Sequence, residues 1–178
     1  MPIQRVIARV LPLVLCFFCS VSWADATSEV EELLQNKQWA QAQQRLAAEV
    51  LQNPKAAQSP QWRLMSSQIL AGQGQASEAI AQLQALIQEF PELPEPYNNL
   101  GVLLAAQGQL EEALTALKSA VQARPNYPVA LQNLGDVYTA LAQQAYLQAK
   151  NAGKGVKLLP LPAPAAQTTT STNTRTLR

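Results

Sequence analysis

A chain of 178 residues with 13 lysines and arginines against 12 acids is long enough for one domain and carries a formal net charge of +1. It lacks the dense basic stripe that a nucleic acid partner requires. Histidine is absent, and both cysteines, Cys16 and Cys19, lie within the first 24 residues. The rest of the chain therefore has no imidazole base, no thiol nucleophile and none of the commonest transition-metal ligands, so no enzyme activity, metal or cofactor is expected.

Arg5 and Arg9 precede an apolar run from Val10 to Val21, and Ser22-Trp23-Ala24 has the small-x-small form of a cleavage site. Residues 1–24 read as an export signal cut after Ala24, with the mature chain starting at Asp25. The run is shorter than the roughly 18 residues needed to span a bilayer, and it contains Pro12, so no stable membrane anchor is expected. An uncleaved signal holding the chain to the inner membrane is the alternative. Leu15 and Phe18 stand before the cysteines, where a lipid anchor wants small residues. A mature chain starting at Asp25 has no disulfide and depends on packing for its stability.

Residues 25–56 read as a divergent helix pair. Ser28-Glu29-Val30-Glu31 has the form of a capping box opening a helix, and Asn36-Lys37-Gln38-Trp39 makes a turn into a second. The polar residues Gln35, Gln38, Gln41 and Gln44 suit the solvent side of an end cap.

Beyond Pro54 a period appears: Pro60, Pro94 and Pro128 stand 34 residues apart. In the frames 60–93 and 94–127, Gly74 matches Gly108, Ala79 matches Ala113, Leu83 matches Leu117 and Pro91 matches Pro125. Leu70, Leu104 and Tyr138 form one column, and Leu100-Gly101 recurs as Leu134-Gly135. Each full frame splits into two helices at its glycine, and the prolines at 91 and 125 stop the second helix. After Pro91 the next helix starts at Glu95 or Pro96, because proline in a first turn forfeits no hydrogen bond. Trp39, Ala42, Leu46 and Pro54 take the places of Leu110, Ala113, Leu117 and Pro125, with a three-residue slip before Pro60. The frame 128–152 is partial: its second helix either begins near Gln144 or fuses with the first. Residues 153–178, rich in proline and threonine, read as a disordered tail.

Such a period predicts an all-α fold, an α-solenoid of stacked antiparallel helix pairs with about three to four repeats. Trp39, Trp62, Tyr97 and Tyr138 fall in or beside the packing columns and read as core, whereas Tyr127 and Tyr146 lie off them and suit contacts. Glu31-Glu32 and Glu111-Glu112 read as helix-face or first-turn acids, which favour the positive end of the helix dipole, rather than as a catalytic pair.

Tyr97-x-x-Leu100-Gly101-x-x-Leu104, followed by Gly108-x-Leu110-x-x-Ala113-x-x-x-Leu117-x-x-Ala120 and Pro125, resembles the tetratricopeptide repeat. The resemblance extends to 60–93, where Ser66-Ser67 replace Leu-Gly, and to the last frame, where Leu131, Leu134-Gly135 and Tyr138 match. With its export signal the chain is also similar to small periplasmic tetratricopeptide proteins of Gram-negative bacteria. The resemblance implies a superhelix whose first helices line a concave groove. Its inward positions here are Leu64, Gln68 and Ala71, then Asn98, Asn99, Val102 and Ala105, then Gln132, Asn133, Asp136 and Thr139. Carboxamides among small residues suit the backbone of an extended peptide. Relatives that clamp a terminal carboxylate use Lys and Arg where Val129 and Asn133 stand here, and only Asn99 matches them. The expected role is a non-catalytic periplasmic adaptor that binds an envelope protein or peptide segment. The alternative is a structural or homo-oligomerising module that uses its uncapped C-terminal repeat.

Overall fold

A computed structural model of the chain describes residues 23–152. Residues 1–22 of the expected signal (1–24) and the tail from 153 lie outside the described residues. Among the described residues seven α-helices follow one another: α1 (Trp23–Gln35), α2 (Trp39–Gln52), α3 (Pro60–Gly72), α4 (Ala76–Glu89), α5 (Pro94–Ala106), α6 (Leu110–Ala123) and α7 (Pro128–Ala152). Among the described residues there is no strand. The all-α stack of helix pairs implied by the 34-residue period is the architecture observed.

Proline opens α3, α5 and α7, at 60, 94 and 128. Its fixed backbone angle suits the first helical position, and the hydrogen bond it cannot donate has no intrahelical acceptor there. α5 therefore starts at Pro94, ahead of the expected Glu95 or Pro96. Ser59 caps α3 by accepting a hydrogen bond from the Trp62 backbone N–H at 3.3 Å. α1 departs from expectation in the other direction: it is already helical at Trp23, so Ser28 lies inside the helix and does not open it. Ala26 and Val30, one turn apart and both buried, anchor this earlier stretch.

The turn between paired helices is the same in all three pairs. Gly74 and Gly108 adopt φ of 82° and 78°, and Lys37 takes the corresponding place at 56°. The N–H of the next residue then reaches back to a carbonyl five residues earlier, Gln75 to Leu70 and Gln109 to Leu104 at 2.9 Å, and Gln38 to Leu33 at 2.9 Å. A left-handed backbone costs an L-residue about 1–2 kcal/mol, part of which glycine returns as unfolded-state entropy. Lys37→Gly is thus expected to stabilise the protein by about 0.5–1 kcal/mol. An unchanged or lower denaturation midpoint would contradict the strained turn.

The three-residue slip is taken up by a short 3-10 turn over Pro54–Gln58, which buries Ala56 completely. Small side chains mark where paired helices meet: Ala42, Ala79 and Ala113 occupy one column and all are fully buried. The core is a chain of neighbouring clusters. One joins Ala26, Val30, Ala42, Ala56, Trp62, Met65 and Ile69. Another centres on Leu83, Leu100 and Ala116, and a third on Ala113, Leu117 and Val137. Each repeat thus buries its apolar face on the next, as in a linear solenoid.

Trp62 is buried, while Trp39 and Tyr97 are half-buried. Tyr138 departs from its expected core position: it is 47% exposed, because among the described residues no second helix of the last frame covers it. Tyr127 is half-buried with the Arg124 guanidinium 5.2 Å from its ring centre, and Tyr146 is exposed. The chain divides into two compact units between Leu141 and Ala142. The described part of the second, 142–152, is the helical end of α7, with Leu147 60% exposed. No helix among the described residues is long and apolar enough to cross a membrane.

Candidate partner-binding groove

The first helices of successive pairs touch one another, α1 with α3 and α3 with α5. Their side chains line two depressions. The first, about 400 Å³, is formed by Leu34, Trp39, Ser67, Gln68, Ala71, Asn99 and Val102 with neighbouring residues. The second, about 580 Å³, is formed by Glu31, Trp62, Leu64, Met65, Gln68, Leu93, Glu95 and Pro96 among others, so Gln68 borders both. A third of about 250 Å³ lies between α5, α6 and α7, where Val102, Ala105, Asn133 and Asp136 contribute.

The predicted positions divide accordingly. Leu64, Gln68, Ala71, Asn99, Val102, Ala105, Asn133 and Asp136 line these depressions. Gln132 and Thr139 are exposed but line none of them, and the Thr139 hydroxyl donates to the Gly135 carbonyl of its own helix at 3.0 Å. Asn98 is not a groove residue: it is 4% exposed and held between α5 and α7. A buried carboxamide must satisfy both of its ends, and Asn98 does. Its Oδ1 accepts from Asn133 Nδ2 at 2.8 Å, and its Nδ2 donates to Asn99 Oδ1 at 3.2 Å. The row ends at Asn99 Nδ2, which is buried, has no hydrogen-bond partner and belongs to a residue lining the first depression.

Trp39 is the contributor that the repeat pattern hid. It takes the place of Ala76 and Leu110 at the start of a second helix, and its ring fills the space where a side chain at Gly72 would lie. Only the departure of an indole from that column signals a different use.

The lining carries acids and no Lys or Arg: Glu31, Glu95 and Asp136. Glu95 Oε1 accepts from Arg124 Nη1 at 2.7 Å, and Glu31 Oε1 from Gln61 Nε2 at 3.4 Å. Burial pushes the nearby Tyr127 phenol up, the Glu95 carboxylate adds to this, and Arg124 opposes it. Other arginines are engaged away from the depressions, Arg45 with Glu29 at 2.6 Å and Glu49 at 3.3 Å, and Arg63 with Glu89.

Helix pairs stacked so that their first members share a lined face define an α-solenoid. A family model of the tetratricopeptide repeat matches residues 27–94 and again residues 64–128. The chain belongs to the tetratricopeptide repeat family. No curated protein sequence matches it. Among solved structures, the Naa15/Naa10 complex bound to HypK-THB aligns with a TM-score of 0.58 at 21% identity, over 72% of this chain and 19% of that one. The present chain thus spans about a fifth of that larger protein. The Sgt2 tetratricopeptide domain from Aspergillus fumigatus aligns at 0.55 and 14% identity, over 81% and 91% of the two chains. The first tetratricopeptide domain of Spaghetti (RPAP3), bound to the HSP90 peptide SRMEEVD, aligns at 0.53 and 15%, over 66% and 90%. At these identities the likeness establishes the fold.

Proposed function

We propose that the protein is a non-catalytic adaptor that holds an extended segment of a partner protein against the face lined by α1, α3 and α5. The observation that carries this is the depression of about 400 Å³ on that face, lined by Gln68, Ser67 and Asn99 among apolar residues. The Gln68 carboxamide, which borders both depressions, offers donor and acceptor to the backbone of an extended peptide. The Spaghetti domain binds an acidic peptide; here the lining acids and the lack of Lys or Arg favour a neutral or basic segment instead.

Our reading puts this adaptor in the periplasm of a Gram-negative bacterium, supported by Arg5 and Arg9, the apolar run Val10 to Val21 and Ser22-Trp23-Ala24, with an uncleaved, inner-membrane-anchored form as the alternative. Cleavage after Ala24 is compatible with the core, since the buried residues described in α1 are Ala26 and Val30. The N-terminal residue of the protein recovered from cells separates the two forms: Asp25 supports release, and an intact signal in the membrane fraction supports anchoring.

Recovery of partners from an envelope extract tests the groove. Gln68→Ala with Asn99→Ala is expected to lower recovery about tenfold, the effect of losing one to two hydrogen bonds at a desolvated site. Gln132→Ala with Thr139→Ala, which lie off the depressions, is expected to leave it unchanged. Equal recovery by wild type and the Gln68/Asn99 variant would sink the assignment.

A further inference from the structure

The described residues of the first compact unit, 23–141, carry 12 acidic side chains against 6 basic ones, a formal charge of −6. Of the six bases, Arg45, Arg63 and Arg124 are each already paired with glutamate. A surplus of this size draws cationic partners and repels anionic ones. On the face of the first helices it is not spread evenly, and the two larger depressions differ in charge.

The first depression has no charged residue in its lining. Leu34, Trp39, Val102 and Leu103 give it apolar walls, and Gly72 leaves room for the indole, whose ring lies 2.3 Å from where a Cβ would stand. Val102 is 43% exposed there. The second depression receives a carboxylate from each of two helices, Glu31 of α1 and Glu95 of α5, beside the apolar Leu64, Leu93 and Pro96. Glu31 is exposed and is met by the neutral carboxamide of Gln61, so its charge is not cancelled. Glu95 shares its charge with Arg124 in a part-exposed ion pair, which an incoming cation can enter. A lysine or arginine side chain matches this mixture: its methylene stem covers apolar surface, and its tip needs a carboxylate.

Gln68 borders both depressions. Along α3 the second takes residues from Pro60 to Gln68, and the first takes residues from Ser67 to Gly72. The midpoints of these stretches are thus about 8 Å apart at the rise of an α-helix. In an extended chain, side chains on one face are separated by about 7 Å in a strand and about 9 Å in a polyproline helix, two and three residues respectively.

We propose that the two depressions form a paired side-chain site, in which the first takes an apolar side chain of the partner segment and the second takes a lysine or arginine two or three residues away. This rests on the groove reading above and adds the residue types that the groove selects. Gln68 stands between the two side chains, where it meets the backbone that joins them. An acidic residue in place of the basic one is turned away by Glu31.

Fluorescence anisotropy with the full chain tests this, using labelled peptides of alanine, serine and proline that carry one leucine and one arginine two or three positions apart, in either order. In the tightest of them, replacing arginine by glutamine, or leucine by alanine, is expected to weaken binding about tenfold, and replacing arginine by glutamate to weaken it further. Raising the salt from about 50 to about 500 mM is expected to weaken the arginine peptide several-fold and to leave the glutamine peptide nearly unchanged. Glu31→Gln is expected to remove most of the preference for arginine, and Glu31→Arg to turn it into a preference for glutamate. Glu31 is exposed, and a reversed preference would not follow from damage to the fold. Binding that is lost with Gln68→Ala but indifferent to the charge of the peptide, or to its leucine, overturns the paired site and leaves the groove in place. Binding indifferent to Gln68→Ala as well overturns the groove reading with it. Absence of binding by every peptide at about 1 mM overturns the paired site. Binding that emerges only after removal of residues 153–178 overturns it too, because the chain's own tail is then the occupant.

Discussion

Trp62→Ala is expected to destabilise the protein by about 3–5 kcal/mol and to release the N-terminal helix pair while the second full repeat stays folded. Trp62 is 3% exposed in the first turn of α3, where it meets residues from α1, α2 and the 3-10 turn. Its companions there include Ala26, Ala42 and Ala56, whose short side chains cannot collapse into the space of an indole. The cost of the cavity therefore adds to the lost burial. The cap from Ser59 reaches the Trp62 backbone N–H and survives the substitution, so α3 itself still starts at Pro60. Stability in a solenoid is carried by contacts between neighbours. Hydrogen exchange is expected to lose protection in α1 and α2 and to retain it in α5 and α6. Equal loss across all helices would show one cooperative core instead.

Gly101→Ala is expected to cost about 1–3 kcal/mol even though alanine is the better helix former. A Cβ at 101 would lie 2.6 Å from Leu117 Cγ and 3.2 Å from the Ala113 carbonyl oxygen. The first obstacle is the branched centre of a fully buried side chain and the second is backbone, so α6 must shift to make room. At Gly135, in the same column, the added methyl meets nothing within 4 Å. Gly135→Ala is therefore expected to raise stability by up to about 1 kcal/mol. Denaturant unfolding of the two variants compares a packed and an open copy of one motif, and equal shifts would contradict that difference.

The same column shows where the sequence was readable. Prolines at 60, 94 and 128 announce helix starts because a first turn makes no use of their missing N–H. The alanines at 42, 79 and 113 announce helix crossings because only a small side chain fits there. The single long α7 also has a sequence cause: Ala142 stands one period after Gly108, and without glycine the left-handed turn that parts two helices is disfavoured. Lys37 defeats the same logic, holding a glycine's conformation without being one. Ser28 misleads for a related reason. A capping motif is local, and the burial of Ala26 upstream of it outweighs the cap.

The groove was legible by column and not by contact. Position in the repeat put Gln68, Asn99 and Val102 on one face, and they line one depression. It also put Asn98 there, because an asparagine looks like a surface residue until its partner is known, and that partner is Asn133 on another helix. Trp39 entered the lining from a second helix, outside the periodic rule for first helices.

The row of three carboxamides has a polarity, and its sense is set at the far end from the groove. Asn133 donates to Asn98, so Asn98 must donate to Asn99, and the free end of Asn99 is left as a donor. Without the hydrogen from Asn133, the middle amide is free to turn over, and the free end can present an oxygen instead. The orientation of Asn99 is thus decided on α7, by a residue that does not line the first depression. The last helix thus sets the hydrogen-bonding sense of a side chain two helices back.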